Sequence, residues 1–439
     1  MAADAFRIPY WDWALGQQGE EFPDIFTTPL ATVIGPDGNQ QTIPNPLYQY
    51  QFHPASSSDF ESPWAQMNTT LRCPTSHAFD AESQQQMVRA HYMTYRRGIH
   101  DGVAKAFSSA TYNAFASELE IHHGTVHFLA GCMDPYAGHF WDTEYSAFDP
   151  IFMIVHANAD RLMAMYQAAH PNNWVEPKNS GETGNFWIPN FSNLHADLPM
   201  PPFWKDGQNF YTPNDIRNVS VLGYAYPETQ YWLYPTTEYW RMAVNESIAR
   251  YYSPSARGTL TALSDMGSSS TTHLLADTTF TDWIIKTKTP VLDLPSKFYV
   301  VFSFVGLPSP EKSIEVGTWT RQTTGRRDTQ ARSHYSVNRN RRSYAHNQPD
   351  LENTISLTSS LLDQVMAGNL KSLSAADVVP YLTKHLTWQV ITGKDLIQGK
   401  MQDITVEVLS TEVRIPDDPT QALEYSSHST PYPEVTDKQ

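Results

Sequence analysis

His123 and His127 stand four residues apart in the run Glu118-Leu119-Glu120-Ile121-His122-His123-Gly124-Thr125-Val126-His127. On a helix that spacing puts both imidazoles on one face, with Cβ atoms roughly 5–6 Å apart. A third histidine, His156, follows in a second predicted helix whose first turn is suited to Pro150. Three neutral imidazoles from two helices make a site for copper, zinc or iron. Such a pair alone is more often a surface or core feature. The second segment, Asp149-Pro150-Ile151-Phe152, His156, then Asp160-Arg161, is a long and unusual string. His122 is an alternative to His123, but only His123 lies four residues before His127. Glu120, one turn before His123, is either a base or ligand-orienting carboxylate, or an ordinary helix-surface glutamate.

These residues need rigid carriers. The apolar pattern predicts a helix over residues 111–130, with Phe115, Leu119, His123, Val126 and Phe128 near its inner side. An earlier helical pattern starts near Asp80 and carries Met87, Val88, His91, Tyr92 and Tyr95. Between the two ligand helices, Gly131 to Ala147 reads as a loop on the pocket rim, with His139 a rim or structural residue. Phe152 lies one turn before His156 and on its face, while Asp160 and Arg161 read as a buried pair that orients ligands. Pro9-Tyr10-Trp11-Asp12-Trp13 reads as an aromatic core cluster whose Asp12 accepts backbone or indole N–H bonds. Residues 15–75 read as irregular, and His53, His77, His91 and His100 show no spacing that would build a second trio.

Glu238 to Tyr252 reads as a helix before a Ser/Thr-rich linker, Ser264 to Thr272. From Phe280 the period changes to two, in Trp283–Lys288, Phe298–Val305 and Ile404–Leu409, which predicts a β-sandwich or barrel. The expected fold class is a mainly α, loop-rich core followed by a β-sandwich-like C-terminal domain. The expected divisions are 1–232, a linker at 233–279, a β-rich domain at 280–416 and a polar, disordered tail at 417–439. An Arg-rich run containing Arg326, Arg327, Arg332, Arg339, Arg341 and Arg342 reads as a solvated loop or a protease-processing site.

The formal charge of −16 over 439 residues argues against a nucleic-acid partner, which needs a basic face. No apolar run approaches the length of a membrane span. With two cysteines, Cys73 and Cys132, no disulfide framework is expected, and the expected setting is intracellular; no secretory signal is visible.

The two histidine segments resemble the second copper segment of the tyrosinase, catechol oxidase and hemocyanin group, whose pattern is HxxxH followed by DPxFxxHHxxxDR. The resemblance implies copper ligands at His123, His127 and His156, with Val155 replacing a non-ligating histidine. It also implies that Phe152 packs beside the ligands and that Glu120 holds a water near the metal. Gly124 stands where many phenol-hydroxylating members carry Asn, so diphenol oxidation is expected over monophenol hydroxylation. The PYWDW string and Tyr224-Ala225-Tyr226 resemble fungal members, as does the stretch around Asp377-Val-Val-Pro-Tyr-Leu382. The implied activity is copper-dependent oxidation of phenols or o-diphenols by O₂, of the kind used in melanin formation. An oxygen carrier and a non-catalytic copper-binding remnant are the alternatives. In the family the first copper's histidines precede PYWDW, which here begins at Pro9. The expectation is therefore a partial member holding one copper rather than two, inactive alone, with aromatic surface exposed near Tyr10 and Trp13. In fungal relatives the C-terminal domain covers the site until it is cleaved.

Overall fold

The computed structural model describes residues 5–19, 21–53, 57–133, 135–180, 187–189, 191–265, 274–276, 278–290, 297–308, 313–322, 350–392, 395–397 and 404–437. The Arg-rich run at 326–342 and most of the Ser/Thr-rich linker lie outside these residues.

Three helices form the frame of the first unit: α1 (Gln85–Phe107), α2 (Tyr112–Gly131) and α3 (Phe152–Ala169). The first begins five residues later than the pattern suggested. Thr111 caps α2 by accepting the Ala114 amide at 3.2 Å, the usual way a hydroxyl satisfies an orphan N–H. Asp149 organises the start of α3, where its Oδ1 accepts the Ile151 amide at 3.1 Å. Arg72 grips that carboxylate through two bonds of 2.7 and 2.8 Å, and both side chains are buried. Val88, Tyr92, Ile99 and Val103 of α1, Phe115, Leu119 and Val126 of α2, and Val155, Leu162 and Met165 of α3 share one apolar core.

Trp11 and Trp13 enter this same core and Tyr10 is half-buried against Tyr226, contrary to the exposed aromatic surface expected there. Trp13 is fully buried and its indole donates to the Val155 carbonyl at 3.0 Å. Trp11 lies edge-on to Phe22 and Phe26 and tilted against Tyr92. The segment therefore finds its partners in α1, α3 and the loop after it. Phe6 and Ile8, just before it, are exposed.

The stretch before α1 is irregular except for a hairpin of β1 (Leu30–Ile34) and β2 (Gln40–Pro44), closed through Gly35-Pro-Asp-Gly38. The expectation of no disulfide is overturned. Cys73 and Cys132 are bonded across 59 residues, which ties this stretch to the C-terminal end of α2. Their distance in sequence hid a proximity that only the packing of α2 creates.

After α3, loops and short turns lead to α4 (Thr237–Tyr251) and α5 (Ser255–Asp265). Two four-stranded antiparallel sheets follow. Their strands are β3 (Thr279–Pro290), β4 (Lys297–Val305), β5 (Ser313–Gln322), β6 (Asp350–Ser356), β7 (Leu386–Thr392), β8 (Asp395–Ile397), β9 (Thr405–Arg414) and β10 (Glu424–Pro431). One sheet runs β8-β7-β4-β5 and the other β10-β9-β3-β6. Helices α6 (Thr358–Met366) and α7 (Ala375–His385) fall between β6 and β7. Trp283, Phe298, Phe302, Trp319, Val408, Leu361 and Leu382 enter one core, so both sheets and both helices close a sandwich as the period-two pattern implied. The polar tail is structured, which corrects the expectation of disorder. β10 pairs with β9, Tyr432 packs on Trp283 at 5.0 Å and Val435 is buried. A few apolar anchors among polar residues suffice to seat it.

Strand β4 is buried on both faces. Phe298, Val300, Phe302 and Phe304 fill the sandwich, while Tyr299 and Val301 join Phe128 and Met133 of the helical unit and Trp141 of the following loop. The sheet carrying β4 and β5 therefore lies against α2. At the contact, a Cβ on Gly124 would come within 2.8 Å of Thr320 Oγ1.

Candidate metal centre

The helix α2 presents His123 and His127 one turn apart, and α3 brings His156 to meet them. The Nε2 atoms of His156 and His127 lie 2.9 and 3.0 Å from Nε2 of His123. The far side of two rings is fixed by backbone. His127 Nδ1 donates to the Phe140 carbonyl at 2.7 Å and His156 Nδ1 to the Phe152 carbonyl at 2.8 Å. With their protons committed there, both present Nε2 lone pairs to the cluster. Aromatic faces hold the same rings: Phe140 stacks on His127 at 4.3 Å and Phe152 on His156 at 3.9 Å.

Burial drives all three imidazoles toward the neutral form. His127 is pushed down to about 3, and His123 lies well below its ordinary value, first by burial and then by its two neighbours. His156 is lowered for the same first reason. Neutral rings with converging lone pairs repel unless a proton or cation lies between them. Metal–nitrogen bonds of about 2.0–2.1 Å place tetrahedral donors roughly 3.3 Å apart, so the observed spacing needs only a small expansion to admit an ion. The trio fits a borderline-soft metal such as copper.

His122 points away from the cluster. Its ring occupies the space a side chain at Gly102 would need, since a Cβ there would lie 1.9 Å from the imidazole. Glu120 is exposed, with its carboxylate 3.7 Å from His123 Nδ1, beyond hydrogen-bond length. Phe152 is where the spacing put it. Gly124 is buried beneath β5 and offers the cluster no side chain.

Asp160 and Arg161 do not pair with each other, which corrects that expectation. Adjacent residues on a helix do not face one another. Asp160 accepts the hydroxyls of Tyr224 at 2.8 Å and Tyr226 at 2.5 Å. Arg161 binds Asp12 at 2.8 Å, Glu228 through two nitrogens and the Tyr252 hydroxyl at 2.7 Å, and it stacks over Tyr10. Both motif residues therefore tie distant segments onto α3 rather than orienting the ligands directly. Asp12 does accept a backbone N–H, from Ala14, and among the described residues its other partners are Asn158, Arg161 and Tyr252 rather than an indole.

His77, His100 and His139 make structural contacts, as read for them in the sequence. His100 faces the carbonyls of Ala14 and Ser253, His139 accepts the Leu71 amide, and His77 contacts the Ala137 carbonyl. Sequence reasoning missed Phe140 and Arg72. Phe140 sat in a loop read only as a rim, and the partner of Arg72 lies 77 residues away, so neither gave a local signal.

The family model for the common central domain of tyrosinase matches residues 1–169, and that for the tyrosinase C-terminal domain matches residues 282–408. A tyrosinase of Neurospora crassa is 25% identical over 99% of this chain and 78% of its own length. One from Podospora anserina is 30% identical over 57% of this chain, which spans 46% of that relative. The solved structure of recombinant mushroom tyrosinase superposes with a TM-score of 0.77 at 21% identity, covering 99% of this chain and 78% of that one. The chain belongs to the tyrosinase family.

Proposed function

We propose that this protein is a copper-dependent oxidoreductase acting on o-diphenols, and less readily on phenols, with O₂ as the oxidant. The observation that carries the reading is the convergence of three neutral imidazoles from α2 and α3, on a chain of the tyrosinase family. His123, His127 and His156 would hold copper. When bound, copper supplies a redox centre able to engage O₂ and accept electrons from a phenolate. The Phe140 and Phe152 carbonyls keep two ligand rings in the productive tautomer, and their aromatic faces keep the rings dry. Glu120, exposed beside His123, would accept a proton from an arriving hydroxyl. Gly124 contributes no amide to that transfer, which favours diphenols.

Residues 1–232 would form the copper-binding domain and 280–416 the C-terminal domain, joined by 233–279. Among the described residues one histidine trio is present, which supports one copper per chain and little turnover by the chain alone. The intracellular expectation loses its premise with the Cys73–Cys132 bond, since such cross-links persist in oxidising compartments.

Copper content and catechol turnover of the purified 439-residue chain test the reading. About one copper that is lost together with the trio is the expected result. No copper, or copper retained without the trio, would refute it. Quinone formation at the rates of an intact enzyme would refute the expectation of low activity, and reversible O₂ uptake without turnover would favour the oxygen carrier.

A further inference from the structure

The disulfide has unusual neighbours. Cys132 Sγ lies 3.5 Å from Nδ1 of His91 and 3.9 Å from Sδ of Met87, both on α1. The potential ligand atoms of Cys73, Cys132 and His91 all lie within 4.8 Å of one another. Among the described residues this is the one group besides the histidine trio with such geometry. Both cysteines are buried, and His91 is partly so.

We propose that reduction of Cys73–Cys132 creates a second, soft-metal site, in which both sulfurs and His91 bind one Cu(I) with Met87 in reach as a thioether.

Thiolate and thioether sulfur prefer monovalent copper to hard cations, and imidazole accepts it as well. The surroundings favour a cation. Cys132 closes α2, and Cys73 Sγ lies 3.7 Å from the Leu129 and Ala130 carbonyls of its last turn. The negative end of a helix stabilises positive charge and opposes a bare thiolate, so the reduced pair gains most by taking up a metal. The ligands need little rearrangement, because α1 and α2 already hold Met87, His91 and Cys132 side by side. The chemistry balances with a dithiol reductant. It gives two electrons to the S–S bond, each cysteine sulfur takes a proton, and the reductant leaves as its own disulfide. Metal binding then releases thiol protons to solvent.

The site would make copper content depend on redox state, separately from the trio. The test titrates Cu(I) anaerobically against a chromophoric chelator, using full-length protein before and after dithiol treatment. Reduced protein should take up one more Cu(I) than oxidised protein, with a new sulfur-to-copper ultraviolet band that an imidazole trio does not produce. Cys73→Ser should abolish the extra equivalent. His91→Ala, which keeps both thiols, should weaken it by roughly tenfold or more. His123→Ala should leave it intact while the trio's metal is lost. Equal uptake by oxidised and reduced protein overturns the proposal, as does reduction that collapses the far-ultraviolet circular dichroism, because no folded reduced site would then exist.

Discussion

His122 and His123 are adjacent, yet one fills the gap over Gly102 and the other meets His127 and His156. His123→Ala should therefore remove most of the bound copper, while His122→Ala should leave the metal and cost stability, because it empties a buried space. Metal analysis of both purified variants checks this, and equal copper loss would show that the register is wrong. Arg161 gives a second residue-level expectation. Its guanidinium is 3% exposed and neutralises Asp12 and Glu228, each 10% exposed. Arg161→Ala would leave two carboxylates without their cation and should cost about 3–5 kcal/mol in denaturant unfolding. Arg161→Lys should recover only part of this, since one ammonium cannot reproduce the forked contacts.

At the scale of elements, the spacing of His123 and His127 and the DPxF string made the ligand helices legible in the sequence. Alternation did the same for β4. What stayed hidden involves partners distant along the chain. Arg72 meets Asp149, Cys73 meets Cys132, and Asp160 and Arg161 each reach tyrosines more than sixty residues away. Local pattern carries helix and strand periods but not which loop returns to which helix. The seam between α2 and β5 is of this hidden kind. Gly124 invites an asparagine by analogy with phenol-hydroxylating relatives, but Thr320 occupies the space. Gly124→Asn should push β5 off α2 and make the β-rich unit more sensitive to limited proteolysis, whereas Gly124→Asn with Thr320→Ala should recover much of the resistance. A single variant as resistant as the parent would show that the seam tolerates the side chain.

Across the whole molecule, the seam between helices and sandwich buries carboxylates. Glu118 of α2 and Glu315 of β5 are each raised to about 7, and Asp282 of β3 to about 6, in each case mainly by burial. Lys105 and Lys286 partly offset the rise at Glu118, Thr318 and Tyr95 at Glu315, and Thr358 and Lys105 at Asp282, where Asp101 adds to it. These acids hold protons in the folded state that they release when unfolded. Their contribution is most favourable below the ordinary carboxylate range and declines as pH rises to about 7. The melting temperature should accordingly fall between pH 5 and pH 8, and Glu315→Gln should flatten that slope. An unchanged slope would assign the dependence elsewhere.

Strand β4 serves two interiors at once, with Tyr299 and Val301 turned toward Phe128 and Trp141. Taking the sandwich away would open that aromatic strip to water on the helical side. A helical unit produced by itself would then be prone to self-association, so its solubility is in part a property of the sheet lying over it. Any cellular step that cuts the chain between the two units would need another surface, a second copy or a different partner, to cover what β4 leaves behind.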